Sequence, residues 1–142
     1  MGKERGSLKG ITVLVCEDNK VSQMLAQRIL EKHGYKVLIA ADGKEGIEAY
    51  CGNPVSVVIM DLHMPEKDGF ETAREIRAIE ARDGRRRVLI AAMSASSESC
   101  EKQNCLDAGM DAYIAKPIRI EEIERLLMGS MEKSAVPPEG AE

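Results

Sequence analysis

The stretch VVIMDLHMPEKDG, residues 57–69, carries four apolar residues, Val57-Val58-Ile59-Met60, straight into an acid, Asp61. A run that is apolar throughout, instead of alternating, fits a strand covered on both faces of a parallel sheet. Met64-Pro65 and Asp68-Gly69 then supply turn chemistry. Asp61 thus stands where a buried strand stops. An acid there is either a cap for the coming turn or the reactive group of a site at the sheet's edge.

The same alternation of strand and helix extends outward in both directions. Ile11 to Cys16 (ITVLVC) and Val88 to Met93 (VLIAAM) are further apolar strands, and Val55 to Met60 is the third strand in chain order. Tyr35 to Ala40 and the short Ala112 to Ala115 complete five. Lys20 to His33 places Val21, Leu25, Ile29 and Leu30 at helical spacing, with Leu25 and Ile29 as the core stripe, and stops at Gly34, a natural C′ residue. Asp42 can cap a helix over about 43–51. Further helices are expected over about 70–81, from Ser96 or Ser97 to Ala108-Gly109, and over 118–128. Five β-α units imply a doubly wound α/β sandwich. Residues 1–9 read as a polar lead-in, 10–129 as one domain, and 130–142 as a disordered tail or linker.

Composition agrees with one soluble globular domain. The chain has 142 residues, 44% apolar and 31% charged, with a formal net charge of -4. That charge argues against nucleic-acid binding by the domain. No apolar run is long enough to span a bilayer, and the charged start MGKERGSLKG is no signal peptide, so a cytoplasmic location is expected. Cys16, Cys51, Cys100 and Cys105 form no CxxC pair, which fits free thiols in a reducing compartment.

In such a sheet, ligands bind at the carboxyl ends of the strands. Those ends carry Glu17 and Asp18 after the first strand, Asp61 after the third, Ser94 after the fourth, and Lys116, followed by Pro117, after the fifth. Two carboxylates about 4 Å apart repel by on the order of 4 kcal/mol at an effective dielectric near 20. Lys116 offsets one charge. A hard divalent cation, Mg²⁺ or in its place Mn²⁺, would offset the rest. A carboxylate beside such a cation and an ammonium is equipped for phosphoryl transfer, with Asp61 as nucleophile and Glu17 and Asp18 holding the metal. Each residue also has a plain structural role open to it: Asp18 as a helix cap, Asp61 as a turn cap, Ser94 as a cap of the fourth helix, Lys116 as surface charge.

Cys16-Glu17-Asp18-Asn19, the run Met60-Asp61-Leu62-His63-Met64-Pro65 with Asp68-Gly69, Ser94-Ala95, and Tyr113 before Lys116-Pro117 together resemble the receiver domain of two-component response regulators. The resemblance covers about residues 10–129. It implies a flavodoxin-like (βα)5 fold with strand order 2-1-3-4-5. It implies that Asp61 accepts a phosphoryl group from a phosphohistidine of a histidine kinase or histidine phosphotransfer protein. Asp18, Asp61 and the backbone carbonyl of His63 would hold Mg²⁺, with Glu17 acting through water. Lys116 would pair with the phosphate over a cis peptide to Pro117, Ser94 would turn its hydroxyl toward it, and Tyr113 would move inward as the aromatic of the switch. The output surface would be the fourth helix, the fifth strand and the fifth helix. Phosphorylation replaces one carboxylate charge by roughly two, which gives the switch its driving force. Such a domain is expected to be a monomer or weak dimer.

Ser94 stands where threonine is commoner in the family. His63 lies near the path of hydrolytic water and could tune the phosphoryl lifetime near the histidine pKa, or be a partly solvated turn residue. His33 reads as a helix-terminal residue. Val21, Met24 and Arg28 form a second stripe on the first helix, either a face for a phosphotransfer partner or a core valine beside a lone exposed methionine. Arg85-Arg86-Arg87 reads as a solvated basic loop. Two other functions compete. A haloacid-dehalogenase-like phosphatase would carry an aspartate two positions after the nucleophile, where this chain has His63. A pseudo-receiver would be a pure interaction module, yet all the reactive groups are present. The Glu-Asp-Asn start, the long third helix and the polar ends favour the receiver of a hybrid histidine kinase over a stand-alone regulator.

Overall fold

A computed structural model describes residues 11–62, 64, 68–94, 99–116 and 118–135. Strands β1 (Thr12–Cys16), β2 (Lys36–Ala40), β3 (Val57–Asp61), β4 (Leu89–Ser94) and β5 (Ala112–Ala115) alternate with helices α1 (Lys20–Lys32), α2 (Gly43–Gly52), α3 (Gly69–Asp83), α4 (Ser99–Asp107) and α5 (Ile120–Ala135). All the strand pairings are parallel, in the order β2-β1-β3-β4-β5. This is the topology expected from the sequence.

The apolar strands serve two cores at once, because successive side chains point to opposite faces. Leu14, Cys16, Val58, Met60, Ile90 and Ala92 pack with Tyr50 of α2, Ala73 and Ile76 of α3, and Cys105 of α4. Val13, Val15, Val57, Ile59 and Met93 pack with Ala26 and Leu30 of α1 and Ile123 and Leu127 of α5. Helices α2, α3 and α4 thus cover one face, and α1 and α5 the other.

The helix ends follow local chemistry. Asn19, Asp42 and Asp68 cap α1, α2 and α3 through the amides of Ser22, Glu45 and Glu71. Gly34 takes a φ of 94° just beyond α1, as its C′ role requires. His33 closes the helix with its Nδ1 donating to the carbonyl of Ile29 at 2.9 Å.

Two expectations shift. The buried residues of α1 are Ala26 and Leu30, and Ile29 packs half-buried against their core as expected, whereas Leu25 is 43% exposed. Ala26 joins the core under the sheet while its neighbour Leu25 is turned outward. Helix α5 continues past Met128 to Ala135. Ser94 is the last residue of β4. The expected caps Ser96 and Ser97, the lead-in 1–9 and residues 136–142 lie outside the described residues.

One polar network has no local signature in the sequence. Arg77 on α3 donates to both carboxylate oxygens of Glu80 at 2.9 Å, to the carbonyls of Val88 (2.9 Å) and Gly109 (2.8 Å), and to Asp111 at 2.7 Å. Glu80 accepts from the Val88 amide at 2.7 Å, and Asp111 from the Ile90 amide at 2.9 Å. The start of β4 and the approach to β5 are thereby fastened to α3. The basic loop is also not merely solvated. Arg87 reaches Asp111 at 2.7 Å, and the Arg85 guanidinium lies 4.2 Å from the Tyr50 ring centroid.

Candidate functional site

The register Cys16↔Met60 brings β1 and β3 to an end side by side, so the next residues, Glu17 and Asp61, stand abreast at the carboxyl edge. On the far side, Ser94 pairs with Ala115, and the Lys116 amide donates to the Ser94 carbonyl at 3.0 Å. This edge gathers the acids and the lysine that lie far apart in sequence.

Carboxylate oxygens of Glu17, Asp18 and Asp61 all lie within 4.8 Å of one another. Glu17 and Asp61 are buried and Asp18 is exposed. Lys116 Nζ sits 2.9 Å from Glu17 Oε1 and 3.2 Å from Asp61 Oδ2. The cap on α1 is Asn19, which leaves the Asp18 carboxylate to the cluster. Burial alone would lower the Lys116 pKa, but the contact with Glu17 and the charge of Asp61 outweigh it and hold the ammonium above its ordinary value. Lys116 is therefore a fixed cation between two buried acids.

One positive charge does not balance three negative ones. Glu17 Oε1 is buried, and among the described residues Lys116 Nζ, 2.9 Å away, is its ion-pair partner. Three carboxylates converging within 4.8 Å, with one ammonium between them, offer the oxygen donors that a hard divalent cation takes, so these residues fit Mg²⁺.

The loop holding the acids is closed by contacts that sequence inspection missed. The Asn19 amide donates to Glu17 Oε2 at 2.9 Å, and Gln23 Nε2 donates to the Glu17 carbonyl at 2.6 Å. The Asn19-to-Ser22 spacing was a legible cap signal. Nothing marked Gln23, whose partner is a backbone atom six residues away.

Ser94 is buried at the end of β4. Tyr113, in β5 beside Ala92, is half-buried against the core on the α2-α3-α4 side. His63 and Pro117 lie outside the described residues. On α1, Val21 is 74% and Met24 53% exposed, so Val21 is not a core residue. Beside them a cleft of about 210 Å³ opens between Ser22, Leu25 and Ala26 of α1 and Met93, Lys116 and Ile118. Among the described residues, no helix is long and apolar enough to cross a membrane.

Comparison with known proteins agrees with this geometry. Residues 13–128 match the response regulator receiver domain. The chain is 35% identical over 129 residues to the virulence sensor protein BvgS of Bordetella pertussis, covering 89% of this chain and 10% of BvgS. The receiver domain of the sensor histidine kinase PA1611 from Pseudomonas aeruginosa, solved with a magnesium ion in its active site cleft, is 36% identical. It superposes with a TM-score of 0.72 over 83% of this chain and 94% of that one. A chain from the co-crystal of the Saccharomyces cerevisiae phosphotransfer protein Ypd1 with the receiver domain of the response regulator Ssk1 is 29% identical. Its TM-score is 0.75 over 82% of this chain and 85% of that one. The chain spans 15% or less of the length of BvgS and of relatives named as histidine kinases in Oryza sativa and Dictyostelium discoideum. From the edge chemistry, the sheet order and these likenesses together, the chain belongs to the response regulator receiver domain family.

Proposed function

We propose that Asp61 is the phosphoacceptor of a phosphorelay, charged by a phosphohistidine on a histidine kinase or phosphotransfer protein. The observation that carries this reading is the packing of three carboxylates within 4.8 Å around a lysine that bridges two of them. Asp18 and Asp61, with Glu17 through water and the His63 carbonyl, would hold Mg²⁺, and Mn²⁺ would suit the same oxygens. The bound ion would neutralise developing charge on the phosphoryl oxygens.

The protein's own groups do the rest. Asp61 attacks phosphorus, an O–P bond forms, and the N–P bond to the donor imidazole breaks. The imidazole nitrogen keeps the electron pair and takes up a proton. Lys116, already on Asp61 Oδ2, follows the new negative charge, and the Ser94 hydroxyl donates to a phosphoryl oxygen. Tyr113, half-buried two residues after the approach to β5, moves inward, and the α4-β5-α5 surface reports the change.

Val21 and Met24 are exposed on α1, the helix whose Ser22, Leu25 and Ala26 line the Lys116 cleft, and with Pro117 they would form the docking face for the donor helix. A co-crystallised relative with a phosphotransfer protein supports a partner of that kind. The domain is a module of a larger signalling kinase, in keeping with its small share of the kinases it matches.

Acetyl phosphate with Mg²⁺ tests the chemistry. The expected result is a mass gain of one phosphoryl group that disappears in Asp61→Asn. Labelling that persists in Asp61→Asn, or turnover of a chromogenic phosphomonoester, refutes it.

A further inference from the structure

We infer that Gln23 is a positioning residue for the metal-binding acids, an inference that rests on reading Glu17, Asp18 and Asp61 as a Mg²⁺ site. Gln23 is attached to the β1–α1 loop twice. Its backbone amide donates to the Asn19 carbonyl at 2.9 Å, and its side-chain amide donates to the Glu17 carbonyl at 2.6 Å. The Asn19 amide in turn donates to Glu17 Oε2 at 2.9 Å, and Asn19 Oδ1 caps α1 through Ser22 at 3.0 Å. These bonds form a closed ring through residues 17, 19 and 23.

The ring has two consequences. Glu17 Oε2 is committed to the loop, so Oε1 is the oxygen left toward Lys116 and the cluster. Asp18 sits at the apex between two fastened residues, with its exposed carboxylate held near Asp61. Lys116 holds Glu17 and Asp61 together, but among the described residues Asp18 has no ion pair or capping bond to hold it against the repulsion of both. Gln23 is the member of the ring that reaches across from the helix. It touches neither the reacting atoms nor a carboxylate, and it acts through the Glu17 backbone. Supports of this kind change metal affinity by roughly 10–100-fold when removed.

The test uses the whole chain, ¹⁵N-labelled, titrated with MgCl₂ and followed in ¹H–¹⁵N spectra. Gln23→Met keeps the helix and the side-chain bulk but loses the donor; Gln23→Ala repeats the loss should the thioether disturb packing. The expected result is a Mg²⁺ Kd about tenfold higher than wild type, with faster amide exchange at Asn19 before any metal is added. Gln27→Met breaks a similar side-chain bond one turn on, to Glu31, and is expected to leave the Kd unchanged. Unchanged Mg²⁺ affinity in the Gln23 variants, weaker affinity without faster Asn19 exchange, or equal weakening in Gln27→Met each overturns the inference while the site itself stands. A wild-type chain that does not saturate with MgCl₂ overturns the site reading and this inference with it.

Discussion

Replacing Asp18 by asparagine should stabilise the metal-free protein, although it deletes part of the site. The Asp18 carboxylate has two like charges within 4.8 Å. Each such pair is worth about 3.5 kcal/mol at an effective dielectric near 20, and under about 1 kcal/mol in bulk water. Asp18 is exposed, so the true value lies between these limits, and Lys116 cancels roughly one neighbour. The relief on removing the charge is then on the order of 1–3 kcal/mol. Mg²⁺ acts the other way: at a hundred times its Kd it adds about 2.7 kcal/mol to a chain that binds it. Urea unfolding at low ionic strength, once in EDTA and once in saturating MgCl₂, should show the asparagine chain ahead in EDTA and its lead cut or reversed in MgCl₂. Raised salt should shrink the EDTA difference by screening. An Asp18→Asn chain that is less stable than wild type in EDTA would refute the charge-crowding argument.

Other outcomes follow from particular contacts. Arg77→Met strands the buried Glu80 carboxylate and two carbonyls, so a loss of about 3–5 kcal/mol is expected; an unchanged urea midpoint contradicts the network's role. In Gly69→Ala the new Cβ would meet the Asp61 carbonyl oxygen at 2.7 Å and the Leu62 Cα at 3.0 Å. Backbone cannot yield cheaply, so a cost of about 1–3 kcal/mol and slower acetyl phosphate labelling are expected, and wild-type values for both would count against it. Burial, with help from Asp42, pushes the Cys16 thiol up to about 12. Iodoacetamide at pH 8 should therefore modify exposed Cys51 and spare native Cys16, as peptide mapping would report. The native thiol holds its proton more tightly than the unfolded one. Its contribution is thus fully present below pH 9 and lost as pH rises from 9 toward 12, by on the order of 4 kcal/mol at the end. A Cys16→Ala chain with the same alkaline stability profile as wild type speaks against that linkage.

The fold was legible because each central strand is apolar from end to end and then stops at a polar residue. Val57 to Met60 followed by Asp61 gives both the layer and the edge. The site was legible for the same reason, since Glu17, Asp61 and Lys116 are read from where strands stop. What escaped notice depends on contacts that have no local pattern. Arg77 looks like any charged residue on a helix, and its partners Val88, Gly109 and Asp111 are brought to it only by the folded sheet. Leu25 was assigned to the core because large aliphatic side chains dominate a helical pattern. Ala26 takes the sheet-facing position, where a small residue lets the helix approach closely. The oxygen of Glu17 that Gln23 holds is a main-chain atom, which no pattern of side chains can announce.

The sheet's two rims are unlike its middle. β2 has five residues and opens on exposed Lys36, and β5 has four, ending next to Lys116. A rim presents a row of amides and carbonyls that a foreign strand could zip onto, and a short rim bounded by charge offers little to hold such a strand. The long, greasy segments most prone to fibrous stacking, Val13 to Cys16 and Val57 to Met60, are interior ladders already saturated on both sides. Crowding many copies together therefore endangers this architecture chiefly during synthesis and refolding, before those ladders have closed.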